Sequence, residues 1–224
     1  ISDSSIPENQ RADLIDILAA EDSLSSGKVL LEVLSGYQPL PVRKRAEEKL
    51  LLFLGGKWAA LAKDEEFSQK LNALKDRALW AKIAGAAKIE AALPGLIELA
   101  KSGDVAGAKD AALSLSANGL GSSTKPQDYV ASSRTSALNA LGRFDRPEAV
   151  AALAKGLENP ETRGAALAGL GTLLQTRDAK EATNALDVLK KALQVADPKK
   201  ASPAASELVQ VLVSTQKGSD WLLS

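Results

Sequence analysis

Few residues in this chain combine types and spacing that could do chemistry. Glu47-Glu48 and Glu65-Glu66 are paired carboxylates, the residue type used for general acid–base work. Ser25-x-x-Lys28, Ser122-x-x-Lys125 and Ser214-x-x-Lys217 have the spacing of a serine nucleophile served by a lysine base. Gly55-Gly56-Lys57 resembles the end of a phosphate-binding loop. Arg43-Lys44-Arg45, with Lys49, could meet an acidic partner. Trp58, Trp80 and Trp221 are rare large anchors, and Tyr129 borders an irregular segment where function often resides.

Each pattern also has a structural reading. Neighbours on a helix diverge by about 100°, so neither Glu pair converges on one substrate atom, and solvated helix faces account for both. The Ser-x-x-Lys matches fall in breaker-rich turns without the companion Ser-Asp-Asn or Lys-Thr-Gly motifs. The Gly-Gly-Lys run lacks the upstream glycine, the following Ser or Thr, and a preceding strand, so a helix C-terminus followed by a turn explains it. Glu47 and Glu48 partly cancel the basic cluster. Trp80 belongs to an apolar helical pattern and is expected in the core. Trp58 follows a glycine break and is a candidate exposed contact. The candidate protein-contact residues are therefore Arg43, Lys44, Trp58, Tyr129 and Trp221.

Composition narrows the chemistry further. The chain has no His, so the commonest metal ligand and neutral-pH base is missing. It has no Cys, and with it no disulfide, thiolate zinc site, iron–sulfur cluster or c-type haem attachment. No catalytic, cofactor or metal residue is expected. Lys plus Arg and Asp plus Glu are 28 each, which argues against nucleic acid as a partner, because phosphate neutralisation needs a basic excess. No apolar run approaches the roughly 18–20 residues that cross a bilayer, so membrane insertion is not expected. The chain does not begin with Met, so it is expected to be processed or to be part of a longer protein.

These residues must be positioned by helices. Hydrophobic residues make up 45% and aromatics only 4%, so the core is built from Leu, Ala, Val and Ile. No run of β-branched residues alternates with polar ones as a strand would. Residues 145–171, DRPEAVAALAKGLENPETRGAALAGLG, hold two apolar-periodic segments around a Glu-Asn-Pro corner, closed by Gly171. Val150, Leu153 and Leu157 mark the first segment, and Ala166, Leu167 and Leu170 the second. The unit recurs imperfectly. Helices are predicted from Pro7 to a break at 23–27, over 28–34, from Pro41 to Gly55-Gly56, and over 64–74. Others are predicted over 79–87, from Pro94 to 100, and over 105–115, 129–141, 179–195 and 203–213, with the start of another in the tail. Residues 118–127 (NGLGSSTKPQ) read as a loop insertion or as a linker between two halves of one 1–224 domain. About eleven to thirteen helices of ordinary length, paired at a period of about 30–40 residues, make an array.

Asn159-Pro160-Glu161-Thr162-Arg163, followed by Ala165, Ala166, Leu167, Leu170 and Gly171, resembles the first helix of a HEAT-like repeat. Arg146-Pro147-Glu148-Ala149-Val150, with Leu153 and Leu157, resembles the second, and Leu40-Pro41-Val42-Arg43 with Ala46 and Leu50 is a weaker copy. The resemblance implies an all-α, right-handed solenoid of stacked antiparallel helix pairs, HEAT-like or armadillo-like, that serves as a scaffold or protein-binding surface. It also implies that Arg43 occupies a position where a buried or inter-repeat arginine is common. The ending LVSTQKGSDWLLS resembles, more narrowly, the HEAT segment of large exported bacterial proteins, which lies between a propeller dehydrogenase and a c-type haem domain. That likeness implies a periplasmic spacer or docking segment. A third reading, from the enzyme class, is a HEAT-like DNA glycosylase or a bilin lyase, which the scarcity of basic clusters disfavours.

Overall fold

A computed structural model of the protein describes residues 5–109, 125–176, 180–195 and 203–223. The described chain is all-α, with helices packed on helices and no strand. In order the helices are α1 (Glu8–Ala20), α2 (Leu24–Ser35), α3 (Leu40–Leu54), α4 (Glu65–Asn72), α5 (Arg77–Ala87) and α6 (Leu93–Ser102). They continue as α7 (Pro126–Leu141), α8 (Pro147–Glu158), α9 (Arg163–Gln175), α10 (Ala182–Val195), α11 (Pro203–Val213) and α12 (Gln216–Leu222). Contacts divide the chain into two compact units. Unit 1 takes the described residues up to Ile89 and those from Asp104 to Val130; unit 2 takes Glu90 to Gly103 and Ala131 onward.

The helix starts follow from local chemistry. Asp64 accepts a hydrogen bond from the Phe67 N–H at 2.8 Å, and Asp76 accepts one from the Leu79 N–H at 3.0 Å, so each satisfies a donor that the first turn leaves free. Pro41, Pro94 and Pro147 sit in the first turns of α3, α6 and α8, where a missing N–H costs nothing. Lys88 ends α5 at φ 52° and Gly103 ends α6 at φ 67°, both left-handed conformations that stop a helix.

Several boundaries differ from the sequence reading, each for a packing reason. The break after α1 lies at residues 21–23 and does not extend to 27: Ser23 caps α2, which runs through Gly27. A Cβ on Gly27 would lie 2.5 Å from Leu61 Cδ1 and 3.3 Å from the Trp58 ring, so this glycine makes room for a neighbour. Gly171 does not close its helix either. Helix α9 continues to Gln175, because Leu173 and Leu174 extend the buried face. Val105 lies in a turn rather than a helix, and 110–115 fall outside the described residues. The expected loop at 118–127 lies outside them as far as 124, and its last residues, Pro126 and Gln127, are the first turn of α7.

In unit 1, Leu30, Leu50, Leu61 and Phe67 are fully buried, as is Trp58. In unit 2, Ala137, Leu141, Leu153, Leu170 and Leu189 are buried in the same way. Asp145 fixes the approach to α10. Its two carboxylate oxygens accept hydrogen bonds from the Lys180 N–H at 2.9 Å and the Glu181 N–H at 2.8 Å. These backbone donors hold its pKa below the ordinary carboxylate value. A depressed carboxylate contributes stability that is complete above the unfolded value of about 3.9 and is lost as pH falls through the lower folded value. Asp145→Asn is therefore expected to lower stability near neutrality and to flatten the acid limb below about pH 4. Denaturant midpoints measured from pH 6 to pH 2 check this; parallel curves for the two proteins would remove Asp145 from the account.

Candidate functional site

The sequence-predicted contact residues are mostly interior. Arg43 is 7% exposed: its Nη1 donates to the Leu34 carbonyl and its Nη2 to Asp76 Oδ2, both at 3.0 Å. Arg45 donates to Asp16 Oδ2 from Nε at 3.1 Å and from Nη2 at 2.7 Å, and Lys49 reaches Asp16 Oδ1 at 3.0 Å. The Arg45 bonds hold the Asp16 carboxyl below its usual range. Lys44 of the triplet is exposed and makes no ion pair among the described residues, so the basic patch is largely neutralised.

Trp58 is fully buried, which overturns its reading as an exposed contact. Its ring meets Phe53 edge to face at 5.4 Å, and the Lys57 ammonium lies 4.3 Å from the Phe53 centroid. Lys57 itself donates to the Ala19 and Glu21 carbonyls at the end of α1. The Gly-Gly-Lys run is thus a helix end whose lysine caps another helix. Tyr129 is also buried, so it is no surface contact. Its hydroxyl accepts from the Arg77 N–H at 2.6 Å, beside the Asp76 cap, and burial pushes the phenol far above its usual range. Trp221 is half-buried with the Lys190 ammonium 5.3 Å from its ring.

Three of the four candidate carboxylates, Glu47, Glu48 and Glu66, sit in ion pairs. Glu66 pairs with Lys28 and Lys70, and Glu47 with Lys82 at 2.7 Å. Hydrogen bonds from Lys28 depress Asp64 and Glu66, while Asp64 and Glu66 raise Lys28. A base for Ser25 would need Lys28 lowered, and the shift is the opposite. Ser214 donates to the Val211 carbonyl, and Ser122 lies outside the described residues. No cluster of His, Cys, Asp or Glu able to hold a metal occurs among the described residues.

An open groove of about 730 Å³ lies in unit 2 between α6 and α8, flanked by α7. Small and aliphatic side chains, Ile97, Ala100, Ala151 and Ala152, line its wall. Lys101, Arg134 and Lys155 also line it, with Glu148 and Glu158. The Arg134 Nη2 donates to the Lys101 carbonyl at 3.2 Å, which plants the guanidinium at the C-terminal end of α6. Thr162 supports the α8–α9 corner by donating to the Gly156 carbonyl at 2.8 Å.

Sequence reasoning missed this groove, because its cations come from three helices, each more than twenty residues from the next. One signal was available. Leu99-Ala100-Lys101 and Leu153-Ala154-Lys155 are the same tripeptide in the last turns of α6 and α8. In each the leucine is buried. Arg134, which meets the Lys101 carbonyl and the Glu161 carboxylate, joins the end of α6 to the corner that follows α8, and so brings the two lysine-bearing turns together. No protein-family model matches the chain, and no curated protein or solved structure matches it.

Proposed function

We propose that the protein is a non-catalytic scaffold, a HEAT-like solenoid of antiparallel helix pairs stacked with right-handed twist, whose α6/α8 groove docks a segment of another protein. The order of cross-links in unit 1 supports the stacking. Asp16 of α1 meets Arg45 and Lys49 of α3; Glu47 and Arg43 of α3 meet Lys82 and Asp76 of α5; Lys28 and Glu32 of α2 meet Glu66 and Lys70 of α4. Every helix in these pairs is tied to the next but one, as in an array where alternate helices form a layer.

The observation that carries the docking role is the groove wall. Ala100, Ala151 and Ala152 leave room for an incoming backbone and offer apolar surface beside charged groups, the composition of a peptide-binding groove. The test is selection of 12-residue peptides from a random library on the whole protein. Selected peptides should lose at least tenfold in affinity for Ala152→Trp, which fills the groove, and keep it for Ala168→Trp on the exposed face of α9. A library that yields no binder, or binders indifferent to Ala152→Trp, would overturn the reading.

A further inference from the structure

The ion pairs of the molecule are not equally satisfied. Lys28 lies 2.8 Å from Asp64, Lys49 3.0 Å from Asp16 and Lys82 2.7 Å from Glu47. At the groove the pairings are looser. Lys101 reaches its nearest carboxylate, Glu98, at 3.5 Å, and both side chains are more than half exposed. Arg134 reaches Glu161 at 3.6 Å, and the Glu161 side chain is 74% exposed. The Arg134 Nε is buried without a hydrogen-bond partner among the described residues. Lys155, exposed at the same end, has no ion pair among the described residues. Three cations thus converge where the last turns of α6 and α8 meet Arg134, and none holds a carboxylate at hydrogen-bonding distance.

We propose that the groove selects an acidic segment of a partner protein. One or two Asp or Glu carboxylates of that segment sit against Arg134, Lys101 and Lys155, and its apolar side chains pack on Ala100, Ala151 and Ala152. The inference rests on the groove being the docking site and adds the chemistry of its occupant. Arg134 suits a carboxylate because its guanidinium is already anchored through Nη2 to the Lys101 carbonyl. A carboxylate that displaced the exposed Glu161 would find the remaining N–H groups oriented. Glu148 and Glu158 line the same groove and repel a continuous run of anions, so a nucleic-acid backbone fits worse than a segment with isolated carboxylates. The zero net charge of the chain points the same way.

The test uses the peptide selection above with a charge-reversed protein, Lys101→Glu/Lys155→Glu. Both lysines are solvent-exposed, so the fold should survive, and the thermal melt is measured to verify it. Peptides selected on the wild type should be enriched in Asp and Glu. They should bind the double variant at least tenfold more weakly and weaken further as salt is raised. Selection on the double variant should yield Lys- and Arg-rich peptides instead. Neutral or basic peptides from the wild type, or acidic peptides that bind both proteins equally, would overturn the proposal. If Ala152→Trp abolishes binding while charge reversal changes nothing, the groove reading stands and this inference alone falls. A duplex oligonucleotide that displaces the peptides at physiological salt would overturn it in favour of a phosphate partner. A dimer that Ala152→Trp dissociates would overturn it in favour of a second copy.

Discussion

Gly142→Ala is expected to destabilise the protein by about 3 kcal/mol, the upper end of the cost of overpacking a filled interior. A Cβ built on Gly142 would lie 2.5 Å from both the Cα and the carbonyl oxygen of Gly169, and 2.8 Å from its carbonyl carbon. Those atoms are backbone, and they belong to the middle of α9, so they cannot rotate away as a side chain does. A Cβ on Gly169 meets the Leu138 carbonyl oxygen at 2.9 Å in return. The end of α7 and the centre of α9 therefore approach backbone to backbone at these two glycines. Separating them would open the packing around Leu138, Leu153 and Leu170, all buried. In a chain of this length the loss corresponds to a fall in melting temperature of roughly 6–12 °C. Gly164→Ala is the control. No atom beyond its own helical turn lies within 4 Å of its Cβ position in the first turn of α9, so an alanine there should fit without clash and raise stability by at most about 0.5 kcal/mol. Denaturant unfolding of the two variants beside wild type decides the matter. A Gly142→Ala protein within 0.5 kcal/mol of wild type would mean that the crossing relaxes freely.

This crossing also shows where the sequence was readable. The all-helical class followed from 3.6-residue apolar spacing and the near absence of strand patterns, and local signals placed many boundaries. Pro41, Pro94 and Pro147 mark first turns, Asp64 and Asp76 act before their helices, and Pro203 opens α11. Glycines misled wherever the reason for the glycine lay in another helix. Gly27 and Gly171 read as breaks, yet each sits inside a helix because Leu61 or Val211 stands where a side chain would go. The candidate site failed for the same reason. Trp58 and Tyr129 looked like exposed anchors because their partners, Leu61 and Phe53 in one case and the Arg77 N–H in the other, are set by tertiary packing. The groove was readable only as an echo of Leu-Ala-Lys in two helices, since charge convergence across helices leaves no local pattern.

Arg43→Ala carries the second large expectation, a loss of about 3 kcal/mol, in the range found when one partner of a buried ion pair is removed. Arg43 lies in the first turn of α3, but its guanidinium serves two other helices. Nη1 satisfies the Leu34 carbonyl in the last turn of α2, one of the acceptors that a helix end leaves free. Nη2 pairs with Asp76, whose other oxygen caps α5 at the Leu79 N–H. Truncation orphans the carbonyl and leaves a largely buried carboxylate without its counter-charge. Asp76→Asn should cost less, about 2 kcal/mol, because the one asparagine oxygen can still cap α5 while the Arg43 Nη2 loses its acceptor and its counter-charge. Arg43→Lys should fall between them, since a single ammonium cannot span both acceptors as the planar fork does. A double-mutant cycle of Arg43→Met with Asp76→Asn should return a coupling of more than about 1 kcal/mol. A negligible coupling would assign the whole effect to packing of the arginine stem. The same variants separate architecture from recognition. Arg43→Lys, if still folded, should bind the groove-selected peptides as wild type does, whereas Lys101→Glu/Lys155→Glu should melt as wild type does and fail to bind them. Arg43 and the two lysines are alike in charge and differ in environment: the cation whose acceptors are already in place holds helices together, and under the docking proposal those without a close carboxylate at the groove take one from outside.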